Sequence, residues 1–314
     1  MINFVKGEIF DVYRVEDDPA ENGGAARVWR VHHLEWDVDL AVKIPRLAVC
    51  KDADMKNDFI RECNLWINLG LHPNIAPCYY VRDIEGVPAV FSEWSDCGSM
   101  ADMIASGRLY EGTEADCQRR IAEIAIQTLQ GLEYAHSQGV IHKDIKPANI
   151  LINSEGDVKL TDFGLASARN FGYTEEYCSP EQMNGKPLKA SSDIFSWAVT
   201  VLEMYAGKRE WDEGAQAGMY HADIMDEAKI PVPEGMRKIL GTALKMTLRG
   251  GAETFQTCES VWLSFTAICT PRAVTHGISR KQGLRTRRAR LITERLVTLT
   301  CTKTKRRWNA GNRP

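Results

Sequence analysis

Near residue 93 the hydrophobic pattern of this chain changes period, and that change leaves few folds open to it. Before it, apolar residues alternate with polar ones in short runs. Residues 8–48 read as a strand meander around Gly-rich turns, and further strands are expected at 78–82 and 87–93. One helical segment interrupts them: in 52–69 (DADMKNDFIRECNLWINL), Phe59, Cys63, Trp66 and Ile67 share a face. From Ser99 onward the helical period dominates. Residues 115–139 read as a long amphipathic helix ended by Gly139. Residues 191–207 (SSDIFSWAVTVLEMYAG) read as an almost wholly apolar helix, which should be buried. Strand-rich first, helix-rich second: the order predicts an α+β chain of two lobes with a cleft between them. At 314 residues there is enough chain for both.

Composition removes several classes. The first residues, MINFVKGEIFDVYRV, lack a basic segment followed by an apolar one, so no secretory signal is expected. No stretch approaches the roughly 18 apolar residues of a membrane helix. The nine cysteines form no CxxC pair and no Cys/His cluster, against a zinc site or a disulfide framework. Reduced thiols and a cytoplasmic location are the expectation.

The chemistry concentrates in two short stretches. HKDIKPANIL (142–151) places Asp144, Lys146 and Asn149 between the long helix and an apolar strand, and DFG (162–164) follows thirteen residues after Asn149. In this order and spacing they resemble the catalytic and metal-binding loops of eukaryotic-type (Hanks-type) protein serine/threonine kinases. The resemblance covers about residues 6–247, with a flavour nearer microbial than animal members. It implies a bilobal kinase-like fold over 6–268, with an N-lobe at about 6–93 and a C-lobe at about 97–268.

The resemblance implies roles residue by residue. Asp144 orients the substrate hydroxyl and accepts its proton, and Lys146 neutralises γ-phosphate charge. Asn149 and Asp162 hold Mg²⁺, or Mn²⁺ as an alternative, through oxygen ligands. Lys43 in DLAVKIP matches the lysine on the α/β-phosphates of ATP, and Glu62 in FIREC its ion-pair partner; the bland reading of Glu62 is a solvated helix acid. Val28 and Ala41 pack on adenine, and backbone groups of Glu93 and Ser95 meet it. Ser92 falls at the gatekeeper position. Asp102 reaches the ribose or merely starts a helix. In the phosphate-covering loop, ENGGAARV (21–28), Gly23 is the one family glycine kept, and Gly24 adds permissiveness.

The segment DFGLASARNFGYTEEYCSPE (162–181) is short, and SPE replaces the usual APE. Thr174 matches the threonine that touches the catalytic Asp, which together with KPAN favours Ser/Thr protein substrates over Tyr. Asp193 matches the residue that braces the catalytic loop, or is a helix-start acid favoured by the dipole. Lys143 stands where many members carry Arg, and Lys lacks the planar fork that clamps a phosphorylated loop. Activity independent of activation-segment phosphorylation is therefore expected. The alternative to an active kinase is a catalytically weak or inactive pseudokinase or scaffold that binds nucleotide and recruits partners.

The motif match ends after LGTALKMT (240–247), where the family's Arg partner for Glu181 is due and LRGGAETFQTCES follows instead. Residues 270–314 carry 13 Lys/Arg and one acid, Glu294, which leaves a net of −15 on the rest of a chain whose total is −3. This basic tail reads as disordered or as out of frame. A one-base shift after Thr247 permits Pro-Glu-Gly-Arg in place of Leu248-Arg249-Gly250-Gly251, and beyond it a sequence resembling a tetratricopeptide-type helical hairpin. Trp308-Asn309 forces Glu in that frame. Nucleic acid is not expected as a partner, since only the tail argues for it, and no membrane partner is expected.

Overall fold

The computed structural model describes residues 2–19, 26–45, 53–163 and 174–246. Gly23 and Gly24, the rest of the phosphate-covering loop before Ala26, Arg249 and the tail lie outside them. The described residues fall into two compact units: residues up to Ile44 together with Cys78–Trp94, and Pro45–Pro77 together with residues from Ser95 onward.

The first unit is one six-stranded sheet. Its strands are β1 (Ile9–Phe10), β2 (Tyr13–Val15), β3 (Ala26–His33), β4 (Val38–Pro45), β5 (Cys78–Ile84) and β6 (Val87–Glu93), in the order β1-β2-β3-β4-β6-β5. Strict alternation decides the faces. Trp29 and Val31 of β3, and Leu40, Val42 and Ile44 of β4, enter a core with Phe4, Tyr13, Val15, Ala89 and Phe91. The register pairs Ala41 with Ser92 and Lys43 with Val90. Residues directly opposite share a face, so Ala41, Lys43, Val90 and Ser92 lie on the side away from Leu40, Val42 and Phe91. Val28, one residue before Trp29, is likewise on the non-core face of its strand. Along β6, Pro88 to Ser92 are buried without alternation, as suits a strand interior to the sheet.

The second unit is helical. Its elements are α1 (Ala53–Asn68), α2 (Met100–Ala105), α3 (Glu114–Ser137), a hairpin of β7 (Ile150–Ile152) and β8 (Val158–Leu160), and then α4 (Pro180–Met183), α5 (Ala190–Ala206), α6 (Gly214–Met219), α7 (His221–Asp226) and α8 (Glu234–Met246). The apolar helix expected at 191–207 is α5, and every residue from Ser191 to Tyr205 is buried. It packs on α3 and α8, and Trp197 donates its Nε1–H to Ala125 O of α3 at 3.1 Å. Gly207 ends it in the left-handed conformation, φ 81°, which glycine adopts without a Cβ clash.

Helix α1 buries Phe59, Cys63, Trp66 and also Glu62. The loop after it ties α1 to the rest of its own unit. Trp66 Nε1–H donates to Ala76 O at 2.9 Å, and Leu160 N and Ala76 N exchange bonds with Asn74 O and Leu160 O at 3.0 and 2.8 Å. Gly131 of α3 permits this approach, because a Cβ there would lie 2.8 Å from Asn74 O.

Candidate active site

The hairpin β7–β8 sets two of the expected site residues side by side. Ile150 pairs with Leu160, so the chain enters the hairpin directly after Asn149 and leaves it directly before Thr161 and Asp162. Thr161 N donates to Asn149 O at 3.1 Å, which extends the pairing by one step. The turn is closed by Asn153, whose Oδ1 accepts the amides of Glu155 and Asp157 at 3.0 and 2.8 Å. Two residues thirteen apart in sequence are thus fixed as neighbours by backbone geometry alone. Asp162 sits in the left-handed region, φ 66°, a conformation that costs a non-glycine residue about 1 kcal/mol or more.

Asp144, Lys146 and Thr174 form a closed triangle. Lys146 Nζ lies 2.7 Å from Asp144 Oδ2 and donates to Thr174 Oγ1 at 2.6 Å. Thr174 Oγ1–H donates to Asp144 Oδ1 at 2.9 Å. Asn149 spends its amide hydrogens on the same residue, at 2.7 Å to Asp144 O and 3.0 Å to Asp144 Oδ2. Burial alone would push the Asp144 carboxyl up. The charge and hydrogen bond of Lys146, the Thr174 hydroxyl and the nearby His142 outweigh it, and hold the carboxyl below the usual carboxylate range. Asp144 is therefore ionised at neutral pH.

A second layer holds this loop. Asp193, at the start of α5 and fully buried, accepts the amides of His142 and Lys143 at 2.8 Å each. The same carboxylate meets His136 Nε2 at 2.7 Å. Burial pushes Asp193 up, but the hydrogen bonds of His136 and of the Lys143 amide help bring it below the ordinary range. His142 Nε2–H donates to Thr161 O at 2.9 Å while Nδ1 accepts the Asp144 amide at 3.3 Å. That pattern fits the neutral ring, and burial holds its pKa down. Its ring lies 4.5 Å from that of Phe163, which is also fully buried. Catalytic-loop and DFG residues are thus joined through one imidazole.

The end of the activation segment is anchored separately. Tyr177 O–H donates to Glu203 Oε2 at 2.6 Å, Trp211 Nε1–H to Glu176 O at 2.9 Å, and Arg209 pairs with Glu176 at 3.1 Å. Burial raises Glu203 despite the Tyr177 bond, and burial pushes the Cys178 thiol up to about 12, so it is no nucleophile at neutral pH.

The remaining expected residues are placed within their own units. Val28, Ala41, Lys43 and Glu93 lie on the sheet of the first unit, while Glu62 and Ser95 are buried in the second. Asp102 closes a capping box at the start of α2, accepting the Ser99 amide and hydroxyl at 2.8 and 2.7 Å, which is the helix-start role. His136 and Glu203 escaped the reading of the sequence. Glu203 left a signal, as a lone acid within an apolar helix; His136 left none. Among the described residues, no group of three or more His, Cys, Asp or Glu is arranged to hold a metal, and no helix is long and apolar enough to cross a membrane.

Comparison with known proteins agrees with this geometry. A family model for the protein kinase domain matches residues 21–263, past the point at Thr247 where the motifs stop. A probable serine/threonine-protein kinase of Streptomyces coelicolor is 28% identical over 225 residues, covering 67% of this chain and 32% of that protein. The serine/threonine-protein kinase PknA of Corynebacterium glutamicum is 31% identical over 242 residues, covering 71% and 50%. Mitogen-activated protein kinase kinase 1c of Physcomitrium patens is 33% identical, covering 67% and 62%. The chain thus spans from about a third to under two thirds of the length of these relatives. The crystal structure of the Mycobacterium tuberculosis PknI kinase domain superposes with a TM-score of 0.62 at 19% identity, covering 84% of this chain and 99% of that one, a likeness of fold.

Proposed function

We propose, from the premise that this chain belongs to the protein kinase family, that it transfers the γ-phosphoryl group of ATP to serine or threonine hydroxyls of a protein. The observation that carries this reading is the Asp144–Lys146–Thr174 triangle. It gathers an ionised carboxylate, an ammonium and the Ser/Thr-type threonine around one point, with Asn149 donating an amide hydrogen to the same carboxylate.

Phosphoryl transfer passes through a loose transition state, so positioning and charge neutralisation count for more than covalent help. Asp144 Oδ atoms accept the hydrogen bond of the incoming hydroxyl and hold its oxygen in line. A carboxylate held below its usual range is a weak base, which suits a reaction where the proton leaves late. Lys146 neutralises charge on the transferred group. The neutral His142 takes no proton in the reaction; it fixes Asp144 and Thr161 relative to each other.

Asn149 and Asp162 are the proposed Mg²⁺ residues. The donor set fits: Asn149 turns its amide hydrogens onto Asp144, leaving its oxygen to offer, and Asp162 adds a carboxylate, both hard oxygen donors. The ion supplies neutralisation of phosphate charge. For the nucleotide, Val28 and Ala41 supply small apolar contacts, Lys43 the phosphate cation with Glu62 as its partner, and Glu93 and Ser95 the backbone groups. The shared sheet face of Ala41, Lys43 and Ser92 supports this assignment. Gly23 and Gly24 remain the proposed lid. The proposed compartment is the cytoplasm, which supplies ATP and keeps thiols reduced; the described cysteines, Cys63, Cys78, Cys97, Cys117 and Cys178, are unbridged.

The test is phosphoamino-acid analysis after incubation with labelled ATP, Mg²⁺ and a protein substrate. Label on phosphoserine and phosphothreonine is expected; label on phosphotyrosine alone would overturn the Ser/Thr assignment.

A further inference from the structure

Lys143 carries the backbone that aims Asp144, and it does so in a conformation that a side-chain-bearing residue avoids. Its φ is 73°, in the left-handed region. Such a residue persists only where its surroundings over-determine it. Two side chains from separate elements do so here. The amide of Lys143 donates to Asp193 Oδ1 at 2.8 Å. Its carbonyl, which belongs to the peptide leading into Asp144, accepts Gln182 Nε2–H at 2.8 Å.

Gln182 lies in α4, two residues into the helix that ends the activation segment, and is 8% exposed. A buried amide at that depth needs a partner, and it finds one 39 residues earlier in sequence. The short α4 is itself held at its first turn, where Glu181 Oε1 accepts the Ser192 hydroxyl of α5 at 2.5 Å. The Lys143 carbonyl is thus tied, through Gln182 and α4, to the same helix α5 that ties the Lys143 amide through Asp193.

We infer that Gln182 is a positioning residue for phosphoryl transfer: by holding the Lys143 carbonyl it keeps the left-handed turn that presents Asp144 to the substrate hydroxyl. The inference rests on the kinase reading above and assigns Gln182 no contact with substrate. The ordered segment end and the catalytic loop are then coupled at one hydrogen bond, so displacing α4 releases the peptide on which Asp144 depends.

The experiment compares wild type, Gln182→Leu, and Gln182→Leu combined with Lys143→Gly. Leucine keeps the bulk and removes the donor. Misplacing a catalytic group by about 1 Å can cost up to a hundredfold in rate, so kcat should fall about tenfold or more. The KM for ATP should stay within about twofold, because the substrate hydroxyl and not the nucleotide is misaligned. Glycine occupies φ near 73° without a Cβ penalty, so Lys143→Gly should recover part of the lost kcat. Unchanged kcat in Gln182→Leu, or a loss that Lys143→Gly leaves untouched, would overturn the inference. Amide hydrogen exchange decides independently of activity: exchange in Gln182→Leu should quicken at residues 142–146 while α5 keeps its protection. Unchanged protection at 142–146 overturns the inference even if the wild type proves inert, an outcome that would separately refute the kinase reading.

Discussion

The carboxylate of Asp193 accepts the backbone amide of Lys143 at 2.8 Å across fifty residues of sequence. With the His142 amide and His136 on the same group, one buried acid joins three elements of the site: the end of α3, the catalytic loop before Asp144 and the start of α5. Removing it leaves these donors without a partner. Asp193→Ala should cost about 3–5 kcal/mol in denaturant unfolding. The sign of its pH dependence follows from its lowered pKa. Its stabilisation is present above the unfolded value of roughly 4 and is lost as pH falls through the lower folded value. Wild type should therefore lose stability more steeply below about pH 4 than Asp193→Asn; identical acid slopes would contradict the assignment.

Thr174 bonds both Asp144 and Lys146. Thr174→Ala should lower kcat about tenfold to a hundredfold, and Thr174→Ser, which keeps the hydroxyl, should stay near wild type. Steady-state kinetics check this, and full activity in Thr174→Ala would remove Thr174 from the site.

Two buried atoms at the start of α4 lack hydrogen-bond partners among the described residues: Ser179 Oγ and Glu181 Oε2. An unmet buried hydroxyl costs about 1–3 kcal/mol. Ser179→Ala should accordingly raise stability by about 1 kcal/mol, seen as a higher Tm. Glu181→Gln should change stability by under about 1 kcal/mol, against the 3–5 kcal/mol expected if a buried cation partner were broken. A large loss in Glu181→Gln would reveal an ion pair, with Arg249 as the first residue to test.

Of the activation segment's described hydroxyls, Thr174 is engaged with the catalytic pair, Tyr177 with the buried Glu203, and Ser179 is fully buried. Phosphatase treatment should leave activity unchanged. A large loss after treatment, restored by ATP, would contradict loop-independent activity.

The two-part organisation was legible because periods of 2 and 3.6 are direct marks of pleat and helix, and α5 was legible from its apolar run closed by Gly207. The nearness of Asp144, Lys146 and Asn149 was legible because they lie within six residues. His136 was not: one histidine on an amphipathic helix looks the same whether it meets solvent or Asp193, and the approach of α3 to α5 decides which. Gln182 was hidden for a similar reason, since its partner is a backbone carbonyl, which has no sequence signature. The docking of α1 through the 69–77 loop depends on Gly131 admitting Asn74 O, a steric fact of the packed structure.

The central claim is that Asp144 serves phosphoryl transfer, and autophosphorylation with ATP and Mg²⁺ by wild type and Asp144→Asn tests it most directly. Wild type should incorporate phosphate, and Asp144→Asn should fall at least about a hundredfold while binding ATP as tightly. A wild type that binds ATP yet transfers nothing, or an Asp144→Asn variant as active as wild type, would contradict it.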